Sequence, residues 1–567
     1  MLPGDEWARE APMALTTDFT DEYRADMARR SWPGRTLLDH LDDAVAARAD
    51  VPAVIGYTHA DDGRRALTYG ELADQVDRVA AGLLDLGVRA GQVVSMQLPN
   101  WWQMPVLGLA CLRVGAVTNA LMPIFRSREL EFMLSLAEST VLVVPEEFAG
   151  FDHAAMAHDL AARLPALAHV VTVRPGGGGD FDAVLAGRAP TDADRAEFAR
   201  RRPDPDAVVQ LAYTSGTTGE PKGVMVTSNT ALCNVRDFAV RLGLTPDDVQ
   251  LMASPLAHQT GFMYGFQMPI VRGATSVLQD VWRPERAADI IRAEGVAFTM
   301  ASTPFLADLT RQAEERPEAF ATFRVFLCAG APVPRDLVRR ATVAMDARIG
   351  SGWGMSEMGA VTATGPDDPD ERVFETDGSP LPDVELRVIG LDGEVLGPDV
   401  EGSLQVRANS LFGGYLKRPD LRGCDAAGWF DTGDLARIDA DGFLRITGRS
   451  KDIIIRGGEN IPVVEIENLL YAHPDVTEVA IVAMPDERLG ERACAFVVPR
   501  AGSTPTLEGL GEFLAQRGAA TQYRPERLEL VDALPRTLTG KIQKFRLRER
   551  LAAPTTAVGA SAAPEGS

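Results

Sequence analysis

Apolar residues in this chain recur with two periods. Over residues 68–86, Leu72, Val76, Val79, Leu83 and Leu84 fall near helical spacing and Gly87 follows, which predicts an amphipathic helix stopped by a glycine. Short apolar runs at 93–98, 141–144 and 207–213 predict buried strands. The two kinds of segment alternate from Thr36 to about residue 200, which predicts βα units and parallel sheets. The most apolar stretch, 104–125, is broken by Arg113, Gly115, Asn119 and Pro123, so it predicts a core helix followed by a strand rather than a membrane span. Residues 174–180 hold four consecutive glycines and predict a loop. No internal repeat is visible.

The pattern changes near residue 383. Runs at 384–388, 402–406 and 443–446 predict short strands, with turns at Asp392-Gly393 and Asp441-Gly442, and so a β-rich subdomain over about 383–450. Beyond it, a helical stretch at 464–472 and apolar strands at 479–482 and 493–498 predict a separate small α/β domain, 451–552. Residues 1–30 are charged and predict a loose arm, 31–450 a large domain, and the Ala/Pro/Thr/Ser-rich 553–567 a disordered tail. The expected class is therefore α/β: a large N-terminal domain of parallel-sheet subdomains plus the β-rich subdomain, then the small domain.

Composition narrows the function. The 567 residues carry 80 acidic against 57 basic side chains, a net charge of −23, and so lack the basic footprint of a general nucleic-acid binder. Five scattered cysteines (Cys111, Cys233, Cys328, Cys424, Cys494) have neither metal-ligand nor redox spacing, which suits a reduced cytoplasmic protein. The acidic Met-Leu-Pro-Gly-Asp-Glu-Trp start predicts no signal peptide, and no stable membrane insertion is expected. Monomer and homodimer both stay open.

The chemistry concentrates at residues 213–224, Tyr-Thr-Ser-Gly-Thr-Thr-Gly-Glu-Pro-Lys-Gly-Val. Thr214, Ser215, Thr217 and Thr218 supply hydroxyls among Gly216, Gly219 and Gly223, and Lys222 supplies a point charge. Glycines let backbone N–H groups approach an anion, so the loop predicts a triphosphate site. It is not the usual P-loop: Gly216 and Gly219 are too close, Pro221 precedes Lys222 and Gly223 follows it, which disfavours a motor ATPase or GTPase.

The string resembles the phosphate-binding signature of the adenylate-forming superfamily: acyl-CoA synthetases, adenylation domains of peptide synthetases, and luciferase. The resemblance spans roughly residues 35–550, with the motifs in order. Its nearest flavour is that of ligases of medium-chain and alicyclic acids, carried by Met122-Pro123-Ile124-Phe125-Arg126 and His258-Gln259-Thr260-Gly261-Phe262. Within Gly350–Glu357 the resemblance implies stacking of Trp353 on adenine, where most relatives have Tyr, with Gly354 and Met355 alongside. It implies an α-phosphate contact for Ser356 and a magnesium ligand in Glu357. Gly330-Ala331-Pro332 resembles the segment packed on adenine. Asp434, in Gly428–Asp434, resembles the ribose acceptor, and Arg449 is implied to contact ribose or phosphate.

For the small domain, the resemblance implies a hinge at Lys451, a pantetheine tunnel lined by Gly457 and Gly458, and Lys541 reaching the acid carboxylate and α-phosphate during adenylation. His258 resembles the gate to the acyl carbonyl, and Gly261, Phe262, Ala329 and Gly352 the acyl pocket. Small residues there (Gly261, Gly265, Ala329, Gly352) suggest room for a bulky acyl group. Ser228 stands where many relatives have His.

What is implied is an ATP-dependent, AMP-forming acyl-CoA ligase using ATP, Mg2+ and coenzyme A on an aliphatic, alicyclic or bulky polycyclic acid, with Lys541, Glu357, His258 and Thr214 as catalytic candidates. Two rivals stand beside it: an adenylating enzyme that loads an acyl carrier protein, and an inactive acyl-AMP-binding scaffold.

Overall fold

The computed structural model describes residues 15–59, 63–214, 221–330, 333–390, 392–425, 427–449, 454–456, 459–486, 488–537 and 540–552. Ser215, Gly216, Thr217, Thr218, Gly219, Ala331, Pro332, Lys451, Gly457 and Gly458 lie outside the described residues.

The predicted helix spans Tyr69–Asp85. Thr68 caps it in a reciprocal box with Glu71, and Gly87 takes positive φ just beyond the end. The apolar stretch at 104–125 folds as a helix, Gln103–Arg113, and a strand, Val117–Ala120. The strand runs Val93–Met96, Val117–Ala120, Val141–Pro145, His169–Val173 and Val208–Thr214 form a parallel sheet, with Lys222–Thr227 added antiparallel at its edge. Their near-continuous apolar sequences follow from burial on both faces.

A nine-stranded sheet has the order Ser379–Pro380, Gly359–Ala363, Arg348–Met355, Val325–Cys328, Val296–Ala301, Val249–Met252, Ser276–Gln279, Pro52–Tyr57 and Arg64–Thr68. Its centre is parallel and its edges antiparallel. Val384–Ile389, Gly402–Ala408, Phe430–Ile438 and Leu444–Arg449 make a four-stranded sheet.

The chain divides into two compact units. One runs to Thr432 and includes Ala436–Ile446; the other takes Gly433–Leu435 and the chain from Thr447 onward. The second unit has its own core of Ile454, Ile466, Leu470, Val479, Ile481, Val497 and Leu514. There the predicted strands extend into a long hairpin, Val476–Asp486 with Gly490–Pro499, flanked by Ile454–Arg456 and the parallel strand Arg527–Leu530. The helix Val463–Tyr471 packs on it.

The described part of the N-terminal arm is more ordered than its charge suggests. Asp21–Arg30 is a helix capped by Thr20. Phe19, Met27 and Trp32 are buried in a cluster with Cys233, and Tyr23 packs against it. Trp32 Nε1 donates to Asn409 O at 2.8 Å, and Tyr23 Oη to Ala408 O at 3.2 Å. Tyr23 and Met27, one turn apart on the helix, together with the flanking Phe19 and Trp32, dock an otherwise polar segment.

Candidate active site

The parallel strands Val249–Met252, Val296–Ala301, Val325–Cys328 and Arg348–Met355 point their carboxyl ends at one edge of the sheet. The chain leaving that edge carries His258, Ala329, Gly330 and Trp353. Crevices at the carboxyl ends of parallel strands are where α/β sheets take ligands.

Trp353 is half-buried, with its N–H donating to Thr362 Oγ1 at 3.3 Å. Gly354 is exposed, Met355 and Ser356 are half-buried, and the chain then turns, Met358 N donating to Met355 O at 3.1 Å. Glu357 in this turn is only 5% exposed. The turn is held from beneath. Asn234 Nδ2 donates to the carbonyls of Met358 (3.1 Å) and Ala360 (2.7 Å). The Tyr264 hydroxyl donates to Asn234 Oδ1 at 2.6 Å and accepts from Ala360 N at 2.6 Å. A small cleft with room for about one water is lined here by Ser356, Glu357, Gln259, Met263, Thr230 and Ser410, among others.

Thr214 and Lys222 are register partners at the ends of the strands Val208–Thr214 and Lys222–Thr227. The connection between them carries the predicted phosphate-loop residues. Thr214 Oγ1 is buried and has no hydrogen-bond partner among the described residues, an orphaned hydroxyl beside the predicted anion site. Lys222 Nζ donates to Tyr415 Oη at 3.2 Å, and Tyr415 Oη donates to Glu357 Oε1 at 2.7 Å.

This donor set fits a magnesium–nucleotide complex. Mg2+ is ordinarily held by one or two carboxylates together with waters and substrate phosphates rather than by an all-protein cage. Among the described residues no group of three or more His, Cys, Asp or Glu is placed to hold a metal. A single buried carboxylate and an unpaired hydroxyl are thus the kind of ligands that arrangement needs.

The predicted acyl-pocket residues differ in burial and surroundings. His258 is half-buried, and its Nδ1 accepts from Thr260 N at 3.2 Å, which puts the proton of a neutral ring on Nε2. Its neighbours Gln259 and Met263 line the cleft, but Phe262 is buried and packs edge-on to Phe266 at 5.1 Å. Ala329 is half-buried, its N–H donating to Ala301 O. Gly330 has φ +85° and open space where a Cβ would stand.

The expectation that small residues leave room for a bulky acyl group is corrected at three positions. A Cβ on Gly261 would lie 2.1 Å from Pro255 O, one on Gly265 2.4 Å from Met252 Cγ, and one on Gly352 2.8 Å from Thr362 O. The missing side chains make way for the protein itself rather than for a ligand.

In the second unit, Asp434 lies buried on the strand Phe430–Ile438, and Arg449 Nε is 2.8 Å from its Oδ1. Lys541 is exposed on a tight reversal. Its N–H donates to Thr537 Oγ1 (3.1 Å), Thr537 N donates to Lys541 O (2.8 Å), and Arg536 bridges Ile542. Arg536 is itself anchored to Glu478 at 3.1 Å.

Sequence reasoning missed Tyr415, Asn234 and Tyr264. The glycine pair Gly413-Gly414 immediately before an aromatic residue was the available signal for Tyr415, since adjacent glycines mark close backbone approach.

Residues 41–416 match the AMP-binding enzyme family, and residues 465–541 match the AMP-binding enzyme C-terminal domain. The chain belongs to the AMP-binding enzyme family. The enzyme is 34% identical to the medium-chain fatty-acid–CoA ligase of Escherichia coli, over 97% of this chain and 96% of that one. It is 36% identical to the salicyl-AMP ligase / salicyl-S-ArCP synthetase of Mycobacterium tuberculosis, over 92% of each. The crystal structure of ATP-bound MatB from Rhodopseudomonas palustris superposes with a TM-score of 0.81 at 28% identity, over 91% of this chain and 98% of that chain. The adenylate-forming resemblance and the α/β class expected from the sequence are both borne out.

Proposed function

We propose that the enzyme is an ATP-dependent, AMP-forming acyl-CoA ligase, using ATP, Mg2+ and coenzyme A. The observation that carries this reading is the line from half-buried Lys222 through buried Tyr415 to buried Glu357, with the orphaned Thr214 hydroxyl on the strand paired to Lys222. It sets a cation, a phenol and a carboxylate in one hydrogen-bonded line, in a chain whose relatives include a CoA ligase and an ATP-bound structure.

A carboxylate is a poor acyl donor because oxide does not leave. In the first half-reaction the acid's oxygen attacks the α-phosphorus of ATP. An O–P bond forms, the α–β bridging P–O bond breaks, and pyrophosphate departs with the electron pair. Lys222 offsets phosphate charge, and the Thr214 hydroxyl donates or ligates there. Ser356 donates to the α-phosphate, and Trp353 and Gly330 flank adenine. Asp434 accepts from the ribose hydroxyls with Arg449 alongside it. Glu357 would hold Mg2+, which supplies charge neutralisation at the phosphates. Lys541 stabilises the charge that develops between carboxylate and α-phosphate.

In the second half-reaction the thiol sulfur attacks the acyl carbonyl and its proton goes to solvent. The carbonyl–oxygen bond to AMP breaks, and AMP leaves with the pair. His258 gates that carbonyl. Lys451 is proposed as the hinge, and Gly457 and Gly458 as pantetheine-side residues.

The acid we propose is aliphatic, alicyclic or bulky polycyclic; the Escherichia coli relative's name supports a medium-chain aliphatic acid. The rival acceptor is a carrier protein, supported by the mycobacterial relative, whose name joins an AMP ligase to an S-ArCP synthetase. Mass spectrometry of products from parallel reactions with CoA and with a holo-carrier protein separates the two. Acyl-CoA formation supports the ligase reading, and transfer to the carrier alone overturns it. A pyrophosphate-release screen over linear, alicyclic, polycyclic and aromatic acids identifies the substrate class.

Among the described residues no helix is long and apolar enough to cross a membrane. We place the enzyme in the cytoplasm as a monomer or homodimer. Its five free cysteines, four of them buried, suit a reducing compartment.

A further inference from the structure

One phenol stands between the two charged groups of the proposed nucleotide site. Tyr415 Oη accepts from Lys222 Nζ at 3.2 Å and donates to Glu357 Oε1 at 2.7 Å. The Lys222 ammonium also lies 4.2 Å from the centroid of the Tyr415 ring. The order of donors is set by chemistry. The ammonium can only donate and the carboxylate can only accept, so the phenol's single proton points at Glu357.

The backbone of Tyr415 is tied to both partners. Gly413 N donates to Met225 O (2.8 Å), Met225 N to Gly414 O (3.0 Å) and Leu416 N to Gly223 O (2.8 Å), which lays this segment along the strand that Lys222 opens. Phe412 N donates to Glu357 O at 2.8 Å. Gly414 sits at φ +114°, and a Cβ there would fall 2.1 Å from Asp18 Oδ2, so the approach to Tyr415 requires glycine. A tyrosine fixed on both sides by main chain, with its hydroxyl on one oxygen of a buried carboxylate, sets the orientation of that carboxylate.

We propose that Tyr415 is a positioning residue for adenylation: by holding Glu357 Oε1 it turns Oε2 toward the cation, and by accepting from Lys222 it fixes the ammonium over its own ring. This rests on the reading of Glu357 as the Mg2+ ligand. Tyr415 itself touches no reacting atom. Its loss should weaken metal binding and leave the fold intact.

The test is Tyr415→Phe, which removes one oxygen and keeps the ring beneath Lys222. Mn2+ binding is measured by electron paramagnetic resonance of the free ion, in the presence of an α,β-methylene ATP analogue, for the parent, Tyr415→Phe, Glu357→Gln and the double variant. Thermal melting of each checks the fold. A hydrogen bond to a charged group supports an expected loss of Mn2+ affinity of about tenfold or more in Tyr415→Phe. The half-saturating Mg2+ concentration for pyrophosphate release should rise by a similar factor, with a single cooperative melt retained. The double variant should lose little more than Glu357→Gln alone, since the phenol acts through the carboxylate.

If Tyr415→Phe binds Mn2+ like the parent while Glu357→Gln does not, the positioning role is overturned and the metal-ligand reading stands. Full additivity in the double variant also overturns it. If neither single variant loses affinity, the metal-ligand reading falls and takes this inference with it.

Discussion

Arg449 Nε lies 2.8 Å from Asp434 Oδ1, an ion pair between a half-exposed guanidinium and a carboxylate that is 4% exposed. Two residues assigned separately to the nucleotide sugar are thus one electrostatic unit. A buried carboxylate needs a partner to remain charged, and a charged carboxylate is the better acceptor for ribose hydroxyls. Asp434→Ala should raise the KM for ATP by about 10- to 100-fold, the range for a lost hydrogen bond to a charged group. Arg449→Ala should raise it too, and the double variant should be less than additive. Steady-state pyrophosphate release at varied ATP measures all three. Independent, additive effects would show that the pair does not act as a unit.

Glu357→Gln should make adenylation demand more Mg2+, because a neutral amide is a poorer ligand for a hard cation. The buried amide can still accept from Tyr415, so the fold should survive. A magnesium titration of pyrophosphate release, run beside circular dichroism melts, gives the answer. A variant that matches the parent at every magnesium concentration removes Glu357 from the ligand set.

Lys541→Ala should harm the first half-reaction far more than the second. Removing one preorganised electrostatic contact costs about 10²–10³ in rate. The side chain is exposed on a reversal whose bonds run through Thr537, so its loss leaves the local backbone intact. Supplying synthetic acyl-AMP and CoA should bypass the defect. Equal losses in adenylation and thioester formation would count against the assignment.

Gly261→Ala should destabilise the first unit. The new methyl would meet Pro255 O at 2.1 Å, a backbone atom that cannot swing aside. Overpacking of this kind costs about 1–3 kcal/mol. The urea midpoint should fall accordingly, and an unchanged midpoint would show that the Pro255 segment yields freely.

Stability should decline below neutral pH partly through His153. Its Nδ1 lies 3.0 Å from Phe151 O and its Nε2 3.2 Å from Pro123 O, and the ring is fully buried. Burial holds it below the ordinary value of 6.5, as it also does His40 and His473. The unfolded chain therefore takes up the proton first. The stabilising effect is complete above 6.5 and is lost as the pH falls from there toward the lower folded value. One such proton changes stability by up to about 1.4 kcal/mol per pH unit. Urea midpoints at about pH 7.5 and about pH 5.5 should therefore differ less in His153→Gln than in the parent. Equal differences would assign the loss to other groups.

Much of the architecture was legible in the chain itself. The period of Leu72, Val76, Val79 and Leu83 and the unbroken runs at 93–98 and 141–144 are local patterns, and local patterns are what backbone geometry reads. The order of motifs from Thr214 to Lys541 likewise sufficed to identify the family, because the spacing of special residues along a chain survives wherever the fold does. Three things required the tertiary structure. The arm's helix depends on Tyr23 and Trp32 finding Ala408 and Asn409, 385 and 377 residues away. The glycines at 261, 265 and 352 look like empty space in a sequence, yet Pro255, Met252 and Thr362 fill it, and only packing says what lies opposite a missing side chain. Tyr415 lies 193 residues from Lys222 and 58 from Glu357. Its role follows from the strand pairing that brings all three to within hydrogen-bond reach, and no periodicity or motif along the chain encodes that distance.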